Sequence, residues 1–157
     1  MSNTAEPQAI AITINAQYVK DLSFENPNAP ASLLPSTEQP QLDVNIDVQT
    51  RSGPDDSYEV VLHIKADAKV GGKQAFLVEL AYAGVATLKN LPAEALQPVL
   101  LIEIPRLLFP FARNILADVT RDGGFAPLLL NPIDFADLYR RHMQSQQAGA
   151  QQAVGNA

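Results

Sequence analysis

Residue types that do chemistry are scarce in this chain, and their spacing keeps them apart. Two of the 157 residues are His and none is Cys, which excludes thiol nucleophiles, disulfides and Cys-ligated metal. His63 falls on the outward side of an alternating segment, beside Val61 and Lys65, where a solvated side chain outweighs a base or ligand lacking any partner. His142 lies near the end of an amphipathic stretch and reads as surface. Asp43 and Asp47 share one face of a strand, but at ~3.3 Å per residue they stand about 13 Å apart, too far to share a proton. Asp55-Asp56 sits in a turn, where Asp serves backbone hydrogen bonding. Gly123-Gly124 reads as a helix stop, because Pro127 and the apolar Leu128 to Leu130 predict an extended segment rather than the helix N-terminus an anion site requires. No HExxH, GxSxG, GxxxxGK(S/T) or GxGxxG pattern occurs. The expectation is no enzyme, no metal and no cofactor. A small-molecule hydrolase or isomerase using a sheet face is the enzyme alternative, and it offers no base–nucleophile geometry.

Charge points to a protein partner instead. The net charge of −6 argues against nucleic acid and anionic membranes and favours basic partners. The asymmetry is sharper than the total: residues 1–59 hold 9 acids against 2 bases, and residues 60–157 hold 8 against 9. Charged residues make up 18 % and hydrophobic ones 46 %, so more apolar surface than usual must find cover. The N-terminal MSNTAEPQAI lacks a signal peptide's basic and apolar regions, and the absence of Cys suits a reducing compartment, so the protein is expected in the cytoplasm. The longest apolar stretch is broken by Glu103, Pro105, Arg106 and Pro110, short of the ~18 apolar residues of a spanning helix, so no membrane insertion is expected.

Four segments alternate with period 2, the pattern of strands with one buried and one wet face. The first sets Ile10, Ile12, Ile14, Ala16 and Tyr18 on one side and carries Asp21 to the other. The second sets Leu42, Val44, Ile46 and Val48 against Asp43, Asn45, Asp47 and Gln49. Tyr58, Val60, Leu62, Ile64 and Ala66 form the third, and Phe76, Val78, Leu80 and Tyr82 oppose Leu77 and Glu79 in the fourth. Turns at Ser52 to Asp56 and at Gly71-Gly72 make antiparallel pairing the natural outcome. Pro27, Pro30, Pro35 and Pro40 make residues 25–40 a long crossover loop, functional or purely topological.

From Pro92 the period changes, and one long helix is expected, with kinks or breaks at Pro98, Pro105 and Pro110. Leu100, Ile104, Leu107, Leu108, Phe111 and their neighbours cover nearly every side of it. One sheet face cannot bury them all, which predicts a homo-oligomer. A second helix begins near Asp134 as its cap, and the closing QSQQAGAQQAVGNA reads as a disordered tail. The expected architecture is α+β, a four-stranded antiparallel sheet followed by a long and a shorter helix. One domain covers residues 1–147, with strands at about 9–21, 41–50, 57–68 and 74–83, helices at about 92–121 and 134–147, and the tail at 148–157.

Three stretches carry a family resemblance: YVKDLSFENPNAP from Tyr18, QAFLVELAYAG from Gln74, and IPRLLFPFARNILADVTRDGGFAPLLLNPIDF from Ile104. In that order, within residues 10–140, they closely resemble the SecB protein-export chaperones. The resemblance implies an ATP-independent cytosolic chaperone, assembled as a homotetramer (a dimer of dimers), that holds unfolded precursor proteins and hands them to the SecA motor. It implies a SecA-docking face at Asp21, Glu25, Leu77 and Glu79, the outward parity found above. It implies a substrate groove using Phe24, Leu42, Val44, Ile46 and Phe76, and an oligomer interface at Val78, Leu80 and Tyr82 with Leu100 and Leu107 of the long helix. The uncharged tail departs from the acidic end that some members add to the SecA contact. A toxin–antitoxin-associated chaperone of the same fold, with a dedicated client, is the alternative.

Overall fold

Alternation along the two central strands decides the architecture. The structure, a computed structural model, describes residues 8–154. In β3 (Ser57–Val70) and β4 (Lys73–Lys89) the even-numbered residues Val60, Leu62, Ile64, Val78 and Leu80 face one way and are buried. β1 (Ala11–Glu25) pairs with the far side of β4, and β2 (Gln41–Ser52) with the far side of β3, so the all-antiparallel sheet runs β1-β4-β3-β2. Sequence neighbours β1 and β2 are therefore opposite edges. Their connection must cross three inter-strand gaps, about 14 Å at ~4.8 Å each, which gives the proline-rich loop a topological reason to be long. Gly71 and Gly72, at φ +60° and +75°, close β3 onto β4 in a two-residue turn that side chains with a Cβ rarely adopt.

A continuous helix, α1 (Ala93–Asp122), lies over the even-numbered face. It buries Leu100, Ile104, Leu108, Ala112 and Leu116 against β3 and β4. It comes close to the sheet at Gly84, where an added Cβ would stand 2.9 Å from Leu108 Cδ2. The expected proline interruptions take a specific form. Residues Val99–Glu103 wind as a π-turn, with the Ile104 N–H bonding the Val99 carbonyl. Pro105 follows, lacking an N–H and crowding the preceding turn, and the wider winding makes room for it. Beyond Gly123 the chain returns extended to α2 (Phe135–Val154), whose first turn is capped by Asp134 Oδ1 accepting the Asp137 N–H at 3.0 Å. Phe135 packs edge-on against Phe109 of α1, their ring centroids 6.1 Å apart.

Several expectations change. β4 continues to Lys89 rather than stopping near 83, because Gly84 is a packing contact with α1 and not a strand end. β1 continues to Glu25. The supposed tail is helical from 148 to Val154, as its Gln and Ala content permits; residues 155–157 lie outside the described residues, as do 1–7 of the expected domain. At 30 residues α1 is long and apolar enough, by length and composition alone, to cross a membrane, although one side of it packs on the sheet.

Gly84→Val should destabilise the fold by ~1–3 kcal/mol through overpacking against Leu108. In urea titrations, adding Leu108→Ala to Gly84→Val should cost less than the two changes separately; strict additivity would contradict the close approach.

Candidate functional site

Two surfaces stand out, one at a corner of the helix-covered side and one on the open side. At the corner, Phe24 near the end of β1, Phe76 near the start of β4, and Phe125 just after α1 form an aromatic cluster. Ring centroids lie 6.0 Å apart for Phe24 and Phe76, 6.4 Å for Phe24 and Phe125, and 5.0 Å for Phe76 and Phe125. Phe24 presses so closely on Gly123 that a Cβ there would meet its ring at 2.3 Å, so this glycine is required by packing as well as by the helix end. The crossover loop is tied down beside the cluster. Asn26 Nδ2 donates to the Gly123 carbonyl at 3.1 Å, and Ser32 Oγ donates to Asn26 Oδ1 at 2.6 Å. Asn28 Nδ2 donates to the Gln74 carbonyl at 2.8 Å. Phe125 is held by Thr120, whose carbonyl accepts the Phe125 N–H at 3.1 Å, while its buried hydroxyl donates to the Leu116 carbonyl at 2.8 Å and accepts the Leu128 N–H at 2.9 Å.

Between this loop and the β3–β4 hairpin opens a cavity of about 570 Å³, its apolar walls including Leu34, Pro40, Ala68, Val70, Phe76 and Phe125. Leu34, 68 % exposed, stands at its rim. Of the expected groove residues, Phe24 and Phe76 meet in the aromatic cluster. Leu42, Val44 and Ile46 do not line this cavity: Val44 and Ile46 pack half-buried against the core, and Leu42 is exposed on β2. Phe125 and the Ala68–Val70 wall escaped sequence reasoning. The pairing Ala68↔Phe76 could have located the wall, since both residues carry the inward parity of their strands.

On the open side, Asp21, Glu25, Leu77 and Glu79 come together. Glu25 pairs with Leu77, Ser23 with Glu79 and Asp21 with Ala81, all on the face away from α1. Lys65 approaches Glu79 at 3.6 Å, both largely exposed, which leaves the carboxylate available to solvent. A shallow depression of about 430 Å³ adjoins them, lined by Lys20, Asp21, Asp47, His63, Lys65 and Glu79 among others. Higher on this face, Glu59 accepts from Lys20 Nζ at 2.7 Å and from the Tyr18 hydroxyl. Lys20 first, then Tyr18, holds the Glu59 carboxyl below its ordinary value. The bond to Glu59, burial and the carboxylate charge push Tyr18 up to about 12. Among the described residues no cluster of His, Asp and Glu could hold a metal ion.

The expected oligomer residues divide. Leu107 is 51 % exposed, whereas Val78, Leu80 and Tyr82 are buried beneath α1 and Leu100, on α1 itself, is buried in the same core. Within the protomer these four side chains pack against their own chain. Tyr82 also donates to Gln17 Oε1 at 3.0 Å and stacks near Phe111, itself 52 % exposed.

Comparison with known proteins settles the family. The sequence model described as "Preprotein translocase subunit SecB" matches residues 5–146. The chain belongs to the SecB family. It is 52 % identical over 145 residues to the protein-export protein SecB of Rhodopseudomonas palustris (strain BisA53), covering 92 % of this chain and 90 % of the relative. It is 50 % identical over 157 residues to that of Rhodospirillum rubrum, covering 98 % of both. Among solved structures, a Mycobacterium tuberculosis SecB-like chaperone in complex with a ChAD peptide from the HigA1 antitoxin superimposes with a TM-score of 0.65 at 13 % identity, over 78 % of this chain and 90 % of that one; the likeness is one of fold. SecB is a family of export proteins, not of enzymes.

The depressed Glu59 carboxyl carries a stability prediction. A lowered folded value contributes stability that is complete above the ordinary 4.5 and is lost as pH falls through the folded value. The urea midpoint of the parent should therefore exceed that of Glu59→Gln near neutrality, and the gap should close as pH drops below about 4.5. A gap independent of pH would contradict the ion pair.

Proposed function

We propose that this chain is an ATP-independent chaperone of the cytoplasm that binds unfolded precursor proteins, keeps them translocation-competent and delivers them to the SecA motor. The observation that carries the reading is the presence of two separate surfaces on one sheet. The aromatic cavity beside the crossover loop suits apolar side chains of an extended client. The open face offers Asp21, Glu25 and Glu79 around Leu77 to a partner with basic residues and an apolar contact, the chemistry we assign to SecA. A client in the cavity leaves that face free.

The working unit is a homotetramer in this reading. Ile12, Val19 and Leu22 of edge strand β1 are exposed on the side where α1 lies, and Leu107 and Phe111 of α1 are exposed as well. Together they form apolar surface that a second copy would cover. Several weak client sites on one assembly would then act by avidity. Binding the unfolded state opposes folding by mass action, which needs no nucleotide. The antitoxin-linked alternative draws on the peptide bound to the fold neighbour, but at 13 % identity it has less support than relatives at 50–52 % named as export proteins.

Leu34→Arg, at the exposed rim, should weaken capture of an unfolded precursor about tenfold, the size of losing one apolar side-chain contact, without lowering the thermal midpoint. Unchanged capture would contradict the cavity. Asp21→Lys with Glu79→Lys should weaken SecA binding by tenfold or more, read by calorimetric titration, and leave client capture intact. Equal affinity in variant and parent would contradict the docking face. Leu107→Arg with Phe111→Arg should lower the native mass in light scattering; an unchanged mass would place self-association elsewhere.

A further inference from the structure

Strand β1 does not run straight across β4. Its register shifts by one residue between Ile14 and Ala16 and again between Val19 and Asp21. The first shift turns Tyr18 to the open face, opposite Ala83, and Val19 to the helix side, opposite Tyr82. The second restores the original parity, with Leu22 opposite Leu80 and Phe24 opposite Val78. The sequence alone leaves a straight strand open, since apolar residues occupy the even positions Ile10, Ile12, Ile14, Ala16, Tyr18, Leu22 and Phe24, interrupted only by Lys20. A straight β1 with Phe24 still opposite Val78 would set Thr13 opposite Lys89 instead of Thr87, a two-residue slip. Such a slip keeps the faces of Ile12, Ile14, Leu22 and Phe24 and inverts only the stretch between the bulges, so the hydrophobic pattern at the two ends of the strand does not decide between the registers.

Side chains on the open face do decide. The Tyr18 hydroxyl passes over β4 and donates to Glu59 on β3, and Lys20 of the second bulge meets the same carboxylate at 2.7 Å. The ring has room because Ala81 and Ala83 beneath it are small; with Val61 they form a separate buried cluster under Tyr18 on an otherwise open face. Asn15, in the first bulge, donates to Thr87 Oγ1 at 2.6 Å. The Tyr18 and Lys20 bonds to Glu59 require the bulged register; Asn15 and Thr87 would stand directly opposite each other in the straight one, so their bond does not discriminate.

We propose that Tyr18, Glu59 and Lys20 form a register lock that holds β1 in its doubly bulged pairing, making them positioning residues for the exposed edge of the sheet. Releasing the lock moves Ile12 about 7 Å along β4, two residues at ~3.3 Å each, and takes it out of line with Val19 and Leu22. The functional consequence rests on the self-association proposed for that edge; the register itself does not.

The chain contains no cysteine, so engineered pairs report the register cleanly. Thr13→Cys/Thr87→Cys reads the bulged pairing and Thr13→Cys/Lys89→Cys the straight one, each scored by its rate of disulfide formation under mild oxidation of the full chain. The parent should favour the 13–87 pair. Tyr18→Phe, which keeps the ring over Ala81 and Ala83, should lower the 13–87 to 13–89 rate ratio about fivefold, the effect of one lost side-chain hydrogen bond. Lys20→Met should lower it in the same direction. An unchanged ratio in both variants overturns the lock, because a ring that merely packs predicts no change with Tyr18→Phe. Light scattering of the same variants separates the two readings: a lowered ratio with unchanged mass upholds the lock and removes β1 from the self-association surface.

Discussion

The packing of α1 on the even-numbered face of β3 and β4 is the contact from which the rest follows. One helix covers one face, so a single set of strands presents two chemically different sides. Gly84 admits Leu108 close to the sheet, and Leu100, Ile104 and Leu116 extend the contact along the helix. Because α1 ends at Gly123 beside Phe24, the corner where helix, crossover loop and β3–β4 hairpin converge becomes an aromatic cavity rather than more core. The opposite side keeps its carboxylates in water with Leu77 among them.

The crossover loop shows how topology and function share one element. It is long because β1 and β2 lie at opposite edges, and its length then supplies one wall of the cavity. Two amide side chains at its start, Asn26 on the end of α1 and Asn28 on the start of β4, tie it to two rigid parts of the fold. A cavity of about 570 Å³ holds a few side chains of a client, not a protein, which is why repeated sites on one assembly matter to the proposed function.

Much of this was legible in the sequence, and the misses share a cause. Period 2 in β2, β3 and β4 gave the correct faces because apolar side chains hold one parity throughout, while the other mixes charged and polar residues with Val61, Leu77, Val85 and small alanines. It failed in β1, where Tyr18 and Ala16 lie on the open face, because the two bulges cancel at the ends of the strand and only Val19 and Lys20, apolar and charged at reversed parity, mark them. Val78, Leu80 and Tyr82, expected at an interface, carry the inward parity and are buried beneath α1 within the protomer. Phe125 escaped because an aromatic in an extended return segment has no periodicity; the Thr120 carbonyl, accepting its N–H, and the rings of Phe24 and Phe76 place it. Asp21, Glu25, Leu77 and Glu79 were found together because polar and apolar residues on a wet strand face obey the simplest rule available.

The separation of the two surfaces is the central claim. The direct test is sedimentation of one mixture containing this protein, a saturating unfolded precursor and SecA. The account predicts a single ternary species that contains all three, because the cavity and the acidic face lie on opposite sides of the sheet. Mutually exclusive complexes, with SecA displacing the precursor or the precursor displacing SecA, would mean that both partners use one surface and would contradict it.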